Sequence, residues 1–389
     1  MSKKLRTNAW MPVACLCIAW PLAHAQNPET GDTLQFRVGA GVEHDSNVLR
    51  APNGESDTIG ILSAGARIDK RYSLQRIVLD AELAAYRHQD FSDLNYSTFN
   101  YSAAWNYAFT PRFTGVLSAT QREYRDTTTA TTGVTEAFVR TERTQLLEGT
   151  YAPGGGFLAL AGLSHRTSDS EVARSIESSP SVTSLRLGTG YEFRSGARAV
   201  VVYRRGDGSY DNLAADFKEN ELAVEARLPL TAKTSVNGKL GWLERNHEGA
   251  AAAGLDFSGM IANVEAAWEI TGKTSLTGGF ERDIGAYETA GGGNVRAWRT
   301  YIQPIWRATA KTQVRLRYAH ETRDWNTNSA AAPDAGREDD VNTFGVFVDW
   351  EPRRNLLVTG TVRQERRDSN VNAFDYRANI VGVAAKYSF

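Results

Sequence analysis

The final segment of the chain, Tyr376–Phe389, has apolar side chains at every second position and stops on an aromatic residue. In an extended strand, successive side chains point to opposite faces, so Val383, Ala385, Tyr387 and Phe389 share one face. No later segment of this sequence covers that face, whereas the hydrocarbon of a bilayer would cover it. The segment therefore predicts the closing strand of a transmembrane β-barrel, and we interpret these four residues as its membrane-assembly signal.

The same alternation recurs along most of the chain. Phe99–Phe109 and Met260–Ile270 are apolar or aromatic at every second position, and the intervening positions are polar or charged. Leu34–Val42 follows the same rule, with Arg37 on the polar face. Half-buried strands of soluble proteins also alternate, but rarely over ten residues with charges in the middle. The pattern favours strands that contact lipid on one side and water on the other.

Turn-like clusters recur about every forty residues and divide the chain into hairpins. They lie at 69–71, 110–112, 153–156, 194–196, 231–234, 271–274, 309–312 and 352–355. Propeller blades repeat at a similar length, but each blade needs four strands. Here each period holds two strands of about 10 to 13 residues and one longer loop, which predicts an all-β, transmembrane, antiparallel up-and-down β-barrel of about 18 strands, within the range 16–18.

An even strand number places both chain ends on the periplasmic side, together with the short turns. The longer loops, predicted to face outward, are 45–57, 89–96, 126–137, 168–181, 207–216, 246–257, 284–293, 325–340 and 369–375. None of them is long enough to predict a deep plug, although 168–181 and 325–340 are candidates for a partial constriction. Aromatic residues beside the short turns, such as Trp105, Trp268 and Trp350, predict an inner aromatic girdle.

The first 25 residues have the three parts of a secretory signal peptide. A basic start is followed by a short apolar core, Met11–Leu22, and by the small-x-small site Ala23-His24-Ala25. Its removal lowers the formal net charge from −1 to −4, because three basic residues and no acidic residue are lost. Residues 26–389 are then a single barrel without cysteine, mildly acidic, for which we expect no nucleic-acid partner.

The sequence predicts no catalytic residue, no metal site and no cofactor, so we do not expect an enzyme. The five histidines beyond the signal peptide lack metal-ligand spacing. A hydrolase site in the barrel wall is the least favoured alternative, because the neighbours Ser164 and His165 point to opposite faces. Asp45 and Asn47 have oxygens at alternate positions, which fits a cation loop or an Asx turn, and we favour the turn.

Charges on the polar faces are the candidates for residues that line the lumen. They are Arg37, Arg67, Glu82, Arg186, Glu225, Glu265, Arg315, Arg317 and Arg363. Such charges either fill the bore with salt bridges or line a water-filled path, and about 18 strands enclose a bore too wide to be filled by side chains. We therefore favour the path. Arginines concentrated toward the C-terminal third predict a weak preference for anionic solutes.

The signal peptide, the segment Val42–Arg50 at the end of the first strand, and the long aromatic-rich hairpins together resemble a known family. The family comprises the EpsL-like outer-membrane porins encoded with exopolysaccharide biosynthesis genes, and the only local motif is Asp-Ser-Asn-Val-Leu-Arg at 45–50. The resemblance implies a passage for export or assembly of an extracellular polysaccharide in the outer membrane of a Gram-negative bacterium. It supplies no residues with defined catalytic roles.

Two alternatives to polysaccharide passage remain open. One is a general or solute-specific porin, and the other is a structural or adhesive barrel with a closed lumen. In each case the expected partners are outer-membrane lipid and lipopolysaccharide, the barrel-assembly machinery, and, for the first two functions, a polysaccharide or other hydrophilic solute. The sequence leaves the oligomeric state open.

Overall fold

The computed structural model describes residues 34–125, 139–170, 179–211, 214–249, 254–286, 293–327 and 336–389. The predicted signal peptide and the predicted loop 126–137 lie outside these ranges. Within them, no helix has the length and apolar character needed to cross a bilayer. The helices that are described are two single 3₁₀ turns, Ser92–Leu94 and Asn372–Phe374.

Eighteen strands run in chain order, each long enough to span the hydrocarbon layer at a tilt. They are β1 (Leu34–Asp45), β2 (Asp57–Tyr72), β3 (Gln75–His88), β4 (Tyr96–Thr110), β5 (Phe113–Arg125), β6 (Val139–Gly154), β7 (Phe157–Ser170), β8 (Pro180–Glu192), β9 (Arg198–Tyr210), β10 (Asp216–Pro229), β11 (Thr234–Glu248), β12 (Phe257–Glu269), β13 (Thr274–Ala286), β14 (Gly293–Arg307), β15 (Thr312–Thr327), β16 (Glu338–Arg353), β17 (Leu356–Ser369) and β18 (Tyr376–Ser388). The predicted strand number and the predicted fold class are confirmed.

The sheet closes on itself, because each strand pairs antiparallel with the next and β18 pairs with β1. In that seam Val42 lies opposite Val383 and Ala40 opposite Ala385. The backbones of Phe36 and Phe389 exchange two hydrogen bonds of 2.9 Å at the end that carries the short turns. Closure leaves no free strand edge in the membrane, and both ends of the barrel chain lie on the same side.

The two faces of the sheet differ as the alternation predicts. Apolar side chains on the outer face are exposed, for example Leu316 at 38% and Val383 at 51%. Tyr387 and Phe389 also point outward, and with Trp268, Trp306 and Trp350 they form the predicted girdle beside the short turns. Together these side chains form a continuous apolar belt that only lipid covers.

Tyr107 is the exception within the girdle, because it is buried on the outer face. The rings of Trp105, Phe109 and Phe113 surround it, and its hydroxyl donates to the Glu148 carbonyl at 3.0 Å. The one polar group of this amphipathic ring, its hydroxyl, is thus hydrogen-bonded within the protein at the headgroup level.

Two local predictions were wrong. The first short turn lies at Ser73–Leu74 rather than at 69–71, because β2 continues to Tyr72 and the chain reverses at Ser73, whose φ is 55°. The predicted loop 207–216 begins too early, since β9 continues through Gly206 and Gly208 to Tyr210. Gly208 is required there for packing: a Cβ would lie 2.2 Å from the ring of Phe217 on the next strand.

The strand number determines the width of the barrel. Eighteen strands, spaced about 4.8 Å apart and tilted by about 40°, close into a cylinder roughly 36 Å across. Interdigitating side chains from two facing sheets fill only about 10 Å. Side chains of ordinary length therefore line the wall of this barrel without filling its centre.

Candidate functional site

The inner face of the barrel carries the charged residues that the sequence singled out, and most of them form ion pairs along the wall. On β1, Arg37 donates to Asp80 at 3.0 Å and to Glu82 at 3.1 Å, both on β3. Lys386 on β18 reaches the same Glu82 at 3.2 Å. Arg67 lies at the edge of this group, 3.4 Å from Asp80.

A second network runs along β6 to β11. Arg186 on β8 forms ion pairs with Glu148 on β6 and with Glu225 on β10. Next to it is a larger network that the sequence analysis did not single out, formed by Arg204, Glu219, Glu221, Lys239 and Arg245. The inward parity of each member was visible in the sequence, but their mutual contact depends on the register of β9, β10 and β11.

The third part of the wall is formed by β12 to β16. Arg315 makes two hydrogen bonds to Asp349, of 2.8 and 3.2 Å. Arg317, two residues further on, has Gln303 as its hydrogen-bond acceptor at 3.3 Å. The hydroxyl of Tyr301 donates to Glu265. The three predicted residues of this part of the wall, Glu265, Arg315 and Arg317, all face inward, but their surroundings differ.

The ion-pair partners within these networks lie on strands that are close to one another in the sheet. Each ion pair described so far joins residues on strands at most three positions apart around the barrel. A bridge across the bore would join strands about nine positions apart. The charges thus neutralise one another along the wall. The predicted preference for anions can then come only from arginines that lack a carboxylate partner.

The first long loop, 46–56, packs inside the mouth of the barrel. Val48 is 1% exposed and contacts Leu94 and the inward-facing Ile59 and Ile61 of β2. The sequence predicted no deep plug and named two other loops as candidates for a constriction. The central parts of those two loops, 171–178 and 328–335, lie outside the described residues, whereas the loop 46–56 lies inside the mouth with Val48 against the inner wall.

The Asp-Ser-Asn motif connects this loop to the last strand. The Asn47 backbone N–H donates to Asp45 Oδ1 at 2.9 Å, which confirms the predicted Asx turn. Ser46 and Asn379 exchange hydrogen bonds of 3.0 and 2.8 Å, and the Asn47 side chain donates to the Arg377 carbonyl at 3.1 Å. The motif therefore extends the β1–β18 seam beyond the end of β1.

Arg50 completes this arrangement, which we call the seam latch (residues 45–50 with Glu365 and Arg377–Asn379). It lies 2.7 Å from Asp45 and 3.1 Å from Glu365, and its side chain is 3% exposed. Burial alone would lower the pKa of Arg50, but the carboxylates of Glu365 and Asp45 raise the pKa above its ordinary value. Arg363 lies beside the latch, 3.1 Å from Glu365.

The residues weighed for catalysis are used in structural contacts. His165 Nδ1 lies 2.9 Å from the Thr183 hydroxyl, and His88 Nδ1 lies 3.0 Å from Asp57. In the part of the chain that the structure describes, no group of three or more His, Cys, Asp or Glu side chains has metal-binding geometry.

Comparisons with known proteins agree with this architecture. Residues 204–389 match the model of a family described as "Putative beta-barrel porin 2". No curated protein sequence matches the chain.

Solved structures of Pseudomonas aeruginosa outer-membrane proteins share the fold. The outer membrane protein OpdK is 10% identical, with a TM-score of 0.50 over 92% of this chain and 99% of that one. Its structure with vanillate gives a TM-score of 0.51 at 10% identity, covering 92% and 99% of the two chains. OprD is 12% identical, with a TM-score of 0.45 over 92% of this chain and 95% of that one.

Three observations indicate where the protein is located in the cell. They are the closed barrel, its lipid-facing belt and the match of its C-terminal half to a porin family. A strand barrel of this kind is found in the outer membrane of Gram-negative bacteria. The chain is an outer-membrane β-barrel of a Gram-negative cell envelope.

Proposed function

We propose that the barrel is a water-filled channel through which small hydrophilic solutes cross the outer membrane. The supporting observation is the arrangement of the ion pairs among the described residues, which join near neighbours along the wall and do not bridge the centre of the 18-stranded bore. The porin family match to residues 204–389 supports the same function. OpdK, which shares the fold, was solved with vanillate, so a barrel of this type accommodates a small solute.

Conductance of the purified protein in planar lipid bilayers tests this proposal. We expect stepwise, ohmic current in KCl, because water and ions fill a bore of this width. Protein denatured before reconstitution is the control. A folded barrel that passes no current at any voltage would contradict the channel and would favour the structural or adhesive alternative.

Passage of an extracellular polysaccharide is the second candidate. It is supported by the resemblance of the 45–50 motif to EpsL-like porins. Deletion of the gene separates the two candidates. Loss of secreted polysaccharide with unchanged small-solute uptake would favour export, and the reverse result would favour the solute channel.

A further inference from the structure

Arg315 and Arg317 lie on the same inner face of β15, two residues apart, yet their electrostatic surroundings differ. The carboxylate of Asp349 accepts two hydrogen bonds from Arg315 and a third, of 2.9 Å, from the Thr359 hydroxyl. The Arg315 guanidinium also lies 5.0 Å from the centre of the Phe347 ring. This arginine is neutralised and held in place within the wall.

Arg317 has no carboxylate within ion-pair distance among the described residues. Its guanidinium lies over the ring of Tyr301, 4.9 Å from the centre, and donates one hydrogen bond to Gln303. The Nε atom is buried and has no hydrogen-bond partner, so the Nη atoms are the ones that a solute can reach. Across the sheet it faces Gly345, which has no side chain to pair with it. The neighbouring acid, Glu265, accepts a hydrogen bond from Tyr301 and forms no ion pair with Arg317.

The depth of Arg317 makes this arrangement unusual. Its chain neighbours Leu316 and Tyr318 face lipid and are 38% and 45% exposed, so Arg317 lies at the level of the hydrocarbon belt. An ionisable residue within a membrane-spanning segment that faces a water-filled cavity usually marks the path of an ion or a substrate. The stacking on Tyr301 and the bond to Gln303 fix the guanidinium, so that little conformational entropy is lost when a ligand binds.

We infer that Arg317, Tyr301 and Gln303 form a carboxylate-binding subsite in the lumen, which selects small anionic solutes as they pass. The inference rests on the proposed channel function and adds the class of solute to it. A planar guanidinium with free donors recognises a carboxylate through charge-assisted hydrogen bonds, which a chloride ion or a neutral sugar does not make in the same way.

Block of chloride current by gluconate, with sorbitol as its uncharged counterpart, tests the subsite in planar bilayers. In the wild type we expect gluconate, but not sorbitol, to reduce the current. The Arg317→Gln variant should raise the half-blocking concentration by about tenfold or more, as expected from the loss of charge-assisted hydrogen bonds. Its reversal potential in a KCl gradient should also shift toward cation preference.

The matched control is the double variant Arg315→Gln with Asp349→Asn, which removes an adjacent ion pair without changing the net charge of the wall. We expect its half-blocking concentration to stay within about twofold of the wild type, because that pair is already neutral. Equal effects of the two variants would overturn the inference. So would a conducting wild-type channel that gluconate never blocks, a result that leaves the proposed channel intact.

A barrel that carries no current would refute the channel but would still allow the subsite to be tested. Calorimetric titration of gluconate into the detergent-solubilised wild type and the Arg317→Gln variant compares binding directly. Heat of binding that disappears in the variant supports the subsite. Equal binding, or none in either protein, overturns it.

Discussion

Replacing Arg50 by methionine is expected to lower the free energy of unfolding of the barrel by about 3–5 kcal/mol, the usual cost of removing one partner from a buried ion pair. Methionine fills much of the space of the arginine stem but leaves the carboxylate of Asp45 without its cation, while Glu365 loses one of its two arginine partners and keeps Arg363. The side chains of these acids are 2% and 11% exposed, so water does not replace the lost partner. Urea titration of the protein folded in lipid vesicles, followed by tryptophan fluorescence, measures the change.

Arg366→Met is the matched control on the neighbouring part of the same rim. Arg366 also pairs with a carboxylate, that of Asp368 at 2.8 Å, but its side chain is 61% exposed. An exposed pair of this kind contributes at most about 1 kcal/mol. If the Arg50 variant unfolded at the same urea concentration as the Arg366 variant, the seam latch would not stabilise the barrel.

Replacing Leu316 by arginine is expected to destabilise the membrane-inserted barrel by about 2–4 kcal/mol, because a charged side chain on the lipid face is costly near the middle of the bilayer. Leu316 lies between two natural arginines, Arg315 and Arg317, which face the lumen. Arginine is therefore tolerated at positions 315 and 317, which face the lumen, but is expected to be destabilising at position 316, which faces lipid. Urea titration in vesicles and the yield of heat-resistant barrel in membranes report the effect.

Gln313→Arg places the same charge on the inner face of the same strand and serves as the control. Gln313 lies opposite Asp349 in the register of β15 and β16, where a new arginine meets an acidic neighbour. We expect a change within about 1 kcal/mol. Equal losses in the two variants would mean that the outer face is not in contact with hydrocarbon, and the membrane assignment would fail.

The seam latch gives the 45–50 motif a structural explanation. Closing a barrel brings together the first and last strands, which are the most distant in the chain, and the ion pair between Arg50 and Glu365 spans 315 residues. Hydrogen bonds from Ser46 and Asn47 to β18 reinforce this seam at the outer end. The 45–50 motif therefore acts at the point where the barrel closes.

The sequence by itself determined the barrel, its strand number and the face that each side chain occupies. Alternation of side chains and the chemistry of short turns are local properties. Strands such as Tyr376–Ser388 and turns such as 110–112 can therefore be predicted without information about the neighbouring strands. The errors at 69–71 and at Gly208 arose because turn-forming residues were weighed without their cross-strand neighbours.

Only the tertiary structure decided which charges meet. Arg315 and Arg317 have the same residue type, the same parity and the same strand, but Arg315 forms an ion pair with Asp349, diagonally across the sheet, whereas Arg317 lies opposite Gly345. This difference depends on the register between strands, as does the inward packing of Val48 against Ile59 and Ile61. A tight turn fixes the register of its own hairpin, but β15 and β16 are joined by a long loop, so their register depends on the pairings of the closed sheet as a whole.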